Sequence, residues 1–360
     1  MKKLYICDYP YPLYEALIKA SADHKNQSDL LLADSFPELG QMLEALRRSG
    51  IFQNVYYFDD ELYRTRLCKV MYYNFKQIKG RSFFRGIWSL LHAFWVVMCC
   101  QGKAKNLTLP VAVSGYDEVF YSDRLSTLMF YLNKNNIPYT AMQHAKNVWQ
   151  IKAPSEILKI KTFLLLERLH ICCGINAYSK ACRKIEVSEN KNLSCRPPKW
   201  AQIVEWDADQ AITALSEAEK ERIFRVYEDS FGMSVDYSRT YDLLLTNPLA
   251  GDSFVSSEQA QIRFYRDTIQ KYFSSAHGVL IKPHPRDKVD YAKHFPGCVV
   301  VDKMISSEIL MLSSQLHLGK VCTLFSSSAN AFRRINADIL ILEDFRTSPE
   351  QMESLKGYRS

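Results

Sequence analysis

The sequence predicts an α/β protein with two domains, each built around a parallel β-sheet. Two stretches of the chain alternate short runs of β-branched or aromatic residues with longer helical segments, a pattern typical of βαβ units. The chain has 360 residues, more than one hydrophobic core usually organises. Its 47% hydrophobic and 24% charged residues are typical of a globular protein. We predict domains 1–195 and 196–360, because Arg196-Pro197-Pro198-Lys199 marks a boundary between them.

The first alternation occupies the N-terminal domain. Strands are predicted over residues 3–7, 29–34, 55–58, 110–114 and 139–143. Helices are predicted over residues 13–21, 36–49 and 125–133; the second ends at Gly50 and the third at Asn135-Asn136. Residues 146–237 are less regular, although Ser216 and Glu219 have the spacing of a capping box that begins a helix.

The second alternation begins at Tyr241. Strands are predicted over residues 241–245, 278–281, 299–301, 321–325 and 339–342, and helices over 258–273 and 307–312. Two nucleotide-binding-like halves facing a central cleft form the two-Rossmann architecture of sugar-transfer enzymes, called GT-B. The sequence contains neither a P-loop nor the dinucleotide-binding glycine motif, which argues against a kinase, an ATPase or a typical dehydrogenase.

Cysteine usage and the first residues bear on location. The ten cysteines lie scattered through apolar segments, and none has the spacing of a zinc site. Such usage predicts reduced thiols and a cytoplasmic protein. No signal peptide is expected, because Asp8 and the prolines that follow it end the first apolar stretch too early.

The formal charge of +7 has a local origin. Nine lysines and arginines, and no acidic residue, lie between Arg64 and Lys105. They surround an apolar run of about fifteen residues, shorter than the roughly 20 that span a bilayer. The run is either a buried helix, which we favour, or a helix lying in a membrane interface. The cations predict peripheral contact with an anionic membrane on its inner face, or with a lipid-linked acceptor. Nucleic acid is not expected, because no nucleic-acid-binding motif accompanies them.

One imidazole is held between two prolines at the end of a predicted strand. The turn Lys282-Pro283-His284-Pro285-Arg286 follows an apolar run, and each proline restricts its own φ and the residue before it. Open α/β sheets bind ligands at this end of their strands. Further on, Ser326, Ser327 and Ser328 follow another strand and open a predicted helix, an arrangement that binds phosphate. Together the motifs indicate chemistry on a nucleotide-activated donor; the alternative is a proline-capped surface turn and an ordinary serine N-cap.

Through these motifs the C-terminal half resembles the bacterial sialyltransferases, nearest to glycosyltransferase family 52, which includes lipooligosaccharide and capsular enzymes. The resemblance covers roughly residues 241–335 and is carried by Leu244-Leu245-Thr246-Asn247-Pro248-Leu249, Gln261-Ile262-Arg263-Phe264-Tyr265, Ile281 to Asp287 with Tyr291, Glu308-Ile309-Leu310, and the serine triplet. It implies that His284 contacts the CMP of the donor and assists its departure, while the serines hold its phosphate. The donor nucleotide is accordingly expected on Lys282, Pro283, His284, Arg286, Asn247, Ser326, Ser327 and Ser328.

The N-terminal half departs from that family. The family places an acidic pair and a glycine where this chain has Gln143-His144-Ala145. That sequence resembles the Gln-His-Gly of other capsule-polysaccharide transferases and the His-Gly of teichoic-acid polymerases that use CDP-glycerol. The departure leaves the donor sugar open and does not affect the transferase interpretation.

Direct inverting transfer needs a base for the acceptor hydroxyl and a group that stabilises the leaving phosphate. His144, at a strand end, is the candidate base or acceptor anchor, unless it is a loop histidine bonded to a carbonyl. His284, helped by Lys282 or Arg286, is expected to stabilise the phosphate. Asp252 is an alternative base or a loop cap.

The acceptor is expected near the ends of the N-terminal strands. Asp8 and Tyr9 follow the first strand, where they bind acceptor or cap a helix, and Gln143 is assigned to the acceptor as well. The nucleotide sugar is a substrate, so no cofactor is expected, and no metal is expected to carry its phosphate.

Three functions remain open. The first is a transferase of capsule or lipooligosaccharide synthesis that moves sialic acid or a related sugar from a CMP-activated donor to a glycan or lipid-linked acceptor. The second uses another nucleotide donor, either a UDP-hexose or a CDP-polyol whose phosphate is transferred. The third is a non-catalytic subunit that binds a membrane assembly through the cations between Arg64 and Lys105.

Overall fold

Two parallel sheets organise the chain, one in each of two compact units, residues Met1–Leu215 and Ser216–Ser360. The structure is a computed structural model. It describes residues 1–35, 37–67, 95–122, 124, 126–144, 149, 179–191, 193, 197–325, 329, 332, 337–344 and 351–358. The predicted α/β class with two parallel-sheet domains is confirmed.

Seven parallel strands form the sheet of the N-terminal unit. They are β1 (Lys2–Cys7), β2 (Gln27–Ala33), β3 (Val55–Phe58), β4 (Glu118–Ser122), β5 (Tyr139–Met142), β6 (Cys182–Val187) and β7 (Gln202–Glu205), in the order β3-β2-β1-β4-β5-β6-β7. The helices are α1 (Pro10–Ala22), α2 (Leu43–Ser49), α3 (Thr127–Lys134) and α4 (Ala208–Thr213). The strand order reverses between β1 and β4, which makes that position the switch point where Rossmann-like sheets bind ligands.

Two N-terminal predictions differ from the structure. The strand predicted over residues 110–114 is wrong: a 3₁₀ turn occupies Val113–Gly115, and the strand follows at Glu118–Ser122. Pro110 has no N–H for a sheet ladder, whereas Phe120 and Tyr121 are buried and pair with β1. The division between residues 195 and 196 falls earlier than the observed one, because β7 pairs with β6 and carries the chain through residue 215 into the first unit.

Five parallel strands form the sheet of the C-terminal unit. They are β8 (Thr240–Leu245), β9 (Gly278–Lys282), β10 (Val299–Val300), β11 (His317–Thr323) and β12 (Asp338–Ile341), in the order β10-β9-β8-β11-β12. The helices are α5 (Glu217–Phe231), α6 (Glu258–Tyr272), α7 (Tyr291–His294) and α8 (Ser307–Leu310). The predicted capping box of Ser216 and Glu219 begins α5. Here the order reverses between β8 and β11, the equivalent switch point.

The cores explain why these strands form where they do. Parallel strands that are covered on both faces appear in the sequence as continuous apolar runs. Leu243 and Leu244 in β8 and Leu280 and Ile281 in β9 are fully buried, and Leu244 and Ile281 belong to the same core cluster as Phe264 of helix α6. Within the described residues, no helix is long and apolar enough to cross a membrane.

Candidate functional site

Two polar turns follow β8 and β9 at the carboxyl edge of the C-terminal sheet. Thr246 and Asn247 continue from β8, and the Pro283–Arg286 turn continues from β9. Across the switch point, the hydroxyl of Thr323 at the end of β11 lies 3.4 Å from Oδ1 of Asn247. The buried hydroxyl of Tyr265 accepts from the Asn247 N–H (2.6 Å) and donates to its carbonyl (2.9 Å). Asn247 is therefore held rigidly at the switch point.

His284 is half-buried in the second turn and is held by three hydrogen bonds. Its N–H donates to the hydroxyl of Thr246 at 3.1 Å, and its carbonyl accepts the N–H of Asp287 at 2.8 Å. Its ring nitrogen Nδ1 accepts the backbone N–H of Arg286 at 3.1 Å. Because Nδ1 is an acceptor, the neutral imidazole carries its proton on Nε2.

The electrostatic surroundings keep that imidazole neutral. Burial lowers the pKa of His284 below its usual value, and the positive charges of Arg286 and Lys282 lower it further. The carboxylates of Asp252 and Asp287 oppose this shift without reversing it. At neutral pH, His284 is thus a hydrogen-bond donor through Nε2–H.

The two cations of the turn, Lys282 and Arg286, already have hydrogen-bond partners within the protein. The ammonium of Lys282 donates to the carbonyls of Pro283 (2.6 Å) and Lys303 (3.2 Å), and burial lowers its pKa to about 8. The guanidinium of Arg286 makes two parallel bonds to the carboxylate of Asp252, at 2.9 and 3.0 Å. The structure therefore joins Arg286 and Asp252, for which the sequence predicted separate roles.

A cavity of about 420 Å³ opens between the two turns and the start of α6. Its lining includes Pro248, Asp252, Ser257, Glu258, Gln261 and Arg286. The cavity lies next to the His284 turn, so a ligand on that turn has room beside it.

A buried polar network beneath the turns was not predicted as part of the site. It consists of Thr246, Gln261, Asp287 and Tyr291, which are linked by hydrogen bonds of 2.7 to 3.1 Å. All four residues belong to the motifs that carried the family resemblance, and Gln261 lies on the buried face of α6, where a polar side chain is unusual. A polar residue on the apolar face of a predicted helix was the signal that the sequence offered for this network.

Asp8 lies at the switch point of the N-terminal sheet. It is buried and accepts hydrogen bonds from the hydroxyls of Tyr121 (2.8 Å) and Ser122 (3.0 Å). Burial raises its pKa. A second buried carboxylate, Asp60, was not predicted; burial, reinforced by the charge of Asp8, raises its pKa to about 6. Two carboxylates thus lie close together at this edge.

The other predicted acceptor residues lie at the same edge. Tyr9 precedes α1 as its N-cap residue, and the guanidinium of Arg124 lies 3.7 Å above its ring. Gln143 follows β5, is buried, and donates to the hydroxyl of Ser188 at 2.8 Å. His144 is half-buried beside it. Because β4 lies between β1 and β5, these residues form two groups along the edge.

Several predicted features lie outside the described residues. These are Ser326, Ser327 and Ser328, and most of the basic segment between Arg64 and Lys105. One Asp-x-Asp sequence occurs, at Asp207 and Asp209, a pattern that can hold a metal in donor sites. Here Asp207 caps α4 and accepts the N–H of Gln210 at 2.9 Å. Among the described residues, no group of three or more metal-binding side chains is found.

The C-terminal unit is of the Rossmann-like α/β class, with a polar site at the switch point where such sheets bind ligands. The model of glycosyltransferase family 52 matches residues 209–341, which include both turns and the network. This part of the chain is therefore similar to glycosyltransferase family 52. The resemblance predicted from the motifs is confirmed.

Other comparisons are more distant. An uncharacterized protein of Haemophilus influenzae is 36% identical over 96 residues, which cover 27% of this chain and 30% of that protein. An α/β-galactoside α-2,3-sialyltransferase from Photobacterium phosphoreum is 12% identical with a TM-score of 0.41, covering 98% of this chain and 93% of the other. A UDP-GlcNAc 2-epimerase from Neisseria meningitidis is 11% identical with a TM-score of 0.43, covering 97% and 84%.

Proposed function

We propose that the protein is an inverting glycosyltransferase of cell-surface polysaccharide synthesis. It transfers sialic acid or a related acidic sugar from a CMP-activated donor to a glycan of the capsule or lipooligosaccharide. The observation that carries this proposal is the state of His284. Its Nδ1 accepts a backbone N–H, so Nε2–H is the side of the ring that can donate to a leaving phosphate.

The reaction needs two groups with different tasks. The acceptor hydroxyl attacks the anomeric carbon, the bond from that carbon to the phosphate oxygen of CMP breaks, and the departing phosphate gains charge. A hydrogen bond from Nε2–H of His284 strengthens as this charge develops. The acceptor proton passes to a base, for which we propose His144. Asp252 is the second candidate, and its bidentate contact with Arg286 makes it the less available one.

The charges of the site favour a donor with a single phosphate. The ammonium of Lys282 donates to two carbonyls and the guanidinium of Arg286 is paired with Asp252, so the turn offers the neutral Nε2–H of His284 to a phosphate and not an uncommitted cation. A diphosphate leaving group carries more charge and calls for stronger electrostatic stabilisation. A UDP-hexose or CDP-polyol donor remains the alternative, and the Gln143-His144-Ala145 sequence is the feature that keeps it open.

A thermal-shift panel with CMP, CDP, UMP, UDP and GDP tests the proposal. Variant His284→Ala removes the Nε2–H group that is proposed to bind the phosphate. His317→Ala is the matched control, because His317 is exposed at the opposite end of β11. We expect CMP to raise Tm most, and the increase to shrink in His284→Ala alone. CMP-sialic acid should then be turned over in the presence of a galactoside.

The other outcomes point to the other functions. Stabilisation by CDP or by uridine nucleotides, with turnover of CDP-glycerol or a UDP-sugar, would replace the CMP donor. Binding of a nucleotide without turnover of any donor would support the non-catalytic subunit.

We place this activity on the inner face of the cell membrane, where nucleotide sugars and lipid-linked acceptors meet. The described part of the basic segment supports peripheral contact. Lys103 and Lys105 are exposed near the end of helical residues 95–105, and 62% of Trp95 is exposed at its start. Exposed cations beside an aromatic ring suit an anionic lipid surface.

A further inference from the structure

The carboxylate of Asp287 joins the two turns of the site. It accepts hydrogen bonds from the hydroxyls of Thr246 (3.1 Å) and Tyr291 (2.8 Å) and from the N–H of Val289 (3.2 Å). The amide nitrogen of Gln261 donates to both of its oxygens, at 3.1 and 3.0 Å. Thr246, Gln261 and Tyr291 are at most 3% exposed. A buried network whose members are satisfied in this way holds its parts in one arrangement.

The hydroxyl of Thr246 connects Asp287 to His284. A hydroxyl has one proton, and this one points to the carboxylate, so its lone pairs face the N–H of His284. The carbonyl of His284 accepts the N–H of Asp287 itself. The backbone N–H of Asp287 therefore holds the carbonyl of His284, and the carboxylate of Asp287 holds the N–H of His284 through Thr246.

The ring of His284 depends on the same turn. Its Nδ1 accepts the N–H of Arg286, a contact that exists only while residues 284–287 keep their turn. Gln261 extends the arrangement to the first turn, because its carbonyl oxygen accepts the N–H of Ala250 at 2.8 Å. The carboxylate of Asp287 is thus connected to both turns, through Thr246 and through Gln261.

We propose that Asp287 is a positioning residue that keeps His284 in a single tautomer, with the proton on Nε2. The inference rests on the proposed function only where Nε2–H is said to meet a donor phosphate. Replacing Asp287 by Asn would present an N–H₂ group to neighbours that are themselves donors. The turn would relax, the contact from Arg286 to Nδ1 would weaken, and the proton would distribute over both ring nitrogens.

Imidazole ¹⁵N NMR of the full chain tests this without any substrate. The His284 signals are identified by their absence in His284→Ala. We expect a single Nε2–H tautomer in the parent protein and a mixture of tautomers in Asp287→Asn and Thr246→Val. Thr246→Ser keeps the hydroxyl and should keep the tautomer. Asp229→Asn, the same chemical change at an exposed site on α5, should have no effect.

These variants distinguish a positioning role of Asp287 from a purely structural one. A purely structural Asp287 would lower Tm and leave the ring protons of His284 where they are. If Asp287→Asn does not fold, Thr246→Val decides, because it removes the hydroxyl that links Asp287 to His284 and keeps the shape of the side chain. An unchanged Nε2–H tautomer in a folded Thr246→Val or Asp287→Asn variant would overturn the proposal. The charges of Arg286, Lys282, Asp252 and Asp287 also face the ring, so spectra are compared across a pH series.

Turnover provides a second readout. Misplacing a catalytic group by about 1 Å costs on the order of 10²-fold in rate. We expect kcat of Asp287→Asn to fall by about that factor with little change in KM, and Asp229→Asn to stay near the parent value. If His284→Ala retains full turnover, the proposed function fails, while the NMR result still decides the role of Asp287.

Discussion

The guanidinium of Arg286 is paired with the carboxylate of Asp252 through two parallel hydrogen bonds, at 2.9 and 3.0 Å. The two residues lie 34 positions apart in the sequence, one on each turn of the site, and both line the cavity. The side chain of Arg286 is 65% exposed, so the pair contributes at most about 1 kcal/mol to stability. Its importance lies in the charge that it neutralises at the mouth of the cavity.

This pairing leads to a prediction about which residue is the proposed base. Because Asp252 is bound to Arg286, we expect Asp252→Asn to keep its turnover, since the Asn oxygen can still accept from Arg286. His144→Ala should lose about 10²- to 10⁴-fold in kcat, the range for a lost acid–base group. Steady-state kinetics of the two variants at one pH makes the comparison. The opposite ranking would make Asp252 the base and remove His144 from the mechanism.

The leaving-group role of His284 predicts a graded series. His284→Ala should lower turnover by about 10²- to 10⁴-fold with folding intact. His284→Gln should lose less, because its amide can still donate an N–H to the phosphate. Turnover and Tm of both variants are measured beside His317→Ala as the control. Equal losses in the Ala and Gln variants would indicate that proton transfer, and not a hydrogen bond, is what His284 supplies.

The pH dependence of turnover should have an acid limb below the usual histidine range. Burial and the neighbouring cations lower the pKa of His284 from 6.5, so the neutral, active imidazole persists until the pH falls below that value. Protonation would then place a hydrogen on Nδ1, against the N–H of Arg286. A kcat profile of the parent protein, compared with the NMR titration of His284, checks the assignment. A limb above pH 6.5 that follows His284 would contradict it.

Because of Asp60, we expect the difference in unfolding free energy between the parent protein and Asp60→Asn to change with pH. Its folded-state pKa is raised from 3.8 to about 6, mainly by burial. The folded protein therefore loses stability as the pH rises from about 4 to 6, by roughly 3 kcal/mol at 1.36 kcal/mol per unit. Asp60→Asn removes this loss, so its stability relative to the parent should increase with pH over that window and stay level above it.

Urea unfolding at pH 4, 5, 6 and 7.5 measures the Asp60 effect. The hydrogen bonds from the Tyr63 N–H and the Ser35 hydroxyl to Asp60 are altered by Asn at every pH, so they shift the whole curve without changing its slope. A difference between Asp60→Asn and the parent that is constant from pH 4 to 7.5 would show that Asp60 titrates normally in the folded protein.

Membrane contact should depend on the exposed lysines of the basic segment. Lys103→Gln/Lys105→Gln is expected to weaken binding to anionic vesicles by up to roughly 30-fold, at about 1 kcal/mol per cation, and the loss should shrink at high salt. Arg64 is spared, because it pairs with Asp34 and Asp59 within the fold. Co-sedimentation with anionic and neutral vesicles measures the effect. Binding that is insensitive to salt would point to insertion of the apolar run instead.

Much of the fold could be predicted because many of its strands coincide with apolar runs in the sequence. The apolar runs at Thr240–Leu245 and Gly278–Lys282 become strands within a residue or two of the predicted bounds. β6 and β7 were missed because their short runs contain charged residues, and the pairing of β6 with β5 and of β7 with β6 makes them strands. The strand near residue 120 was misplaced for a related reason: the apolar run that precedes it is equally β-prone, and burial against β1 selected the later one.

The amino-acid sequence by itself determined where the chain turns and which reactive groups the turns carry, because prolines restrict φ locally and apolar runs of fixed period form strands. It led to His284 and to the family. Only the tertiary structure decided which groups meet: Thr246 and Asp287 are 41 residues apart, and Gln261 and Asp287 are 26 apart. Their contacts depend on the register of β8 against β9 and on the position of α6 above them. Hydrogen bonds are short and directional, so such partnerships exist only once the whole sheet has formed.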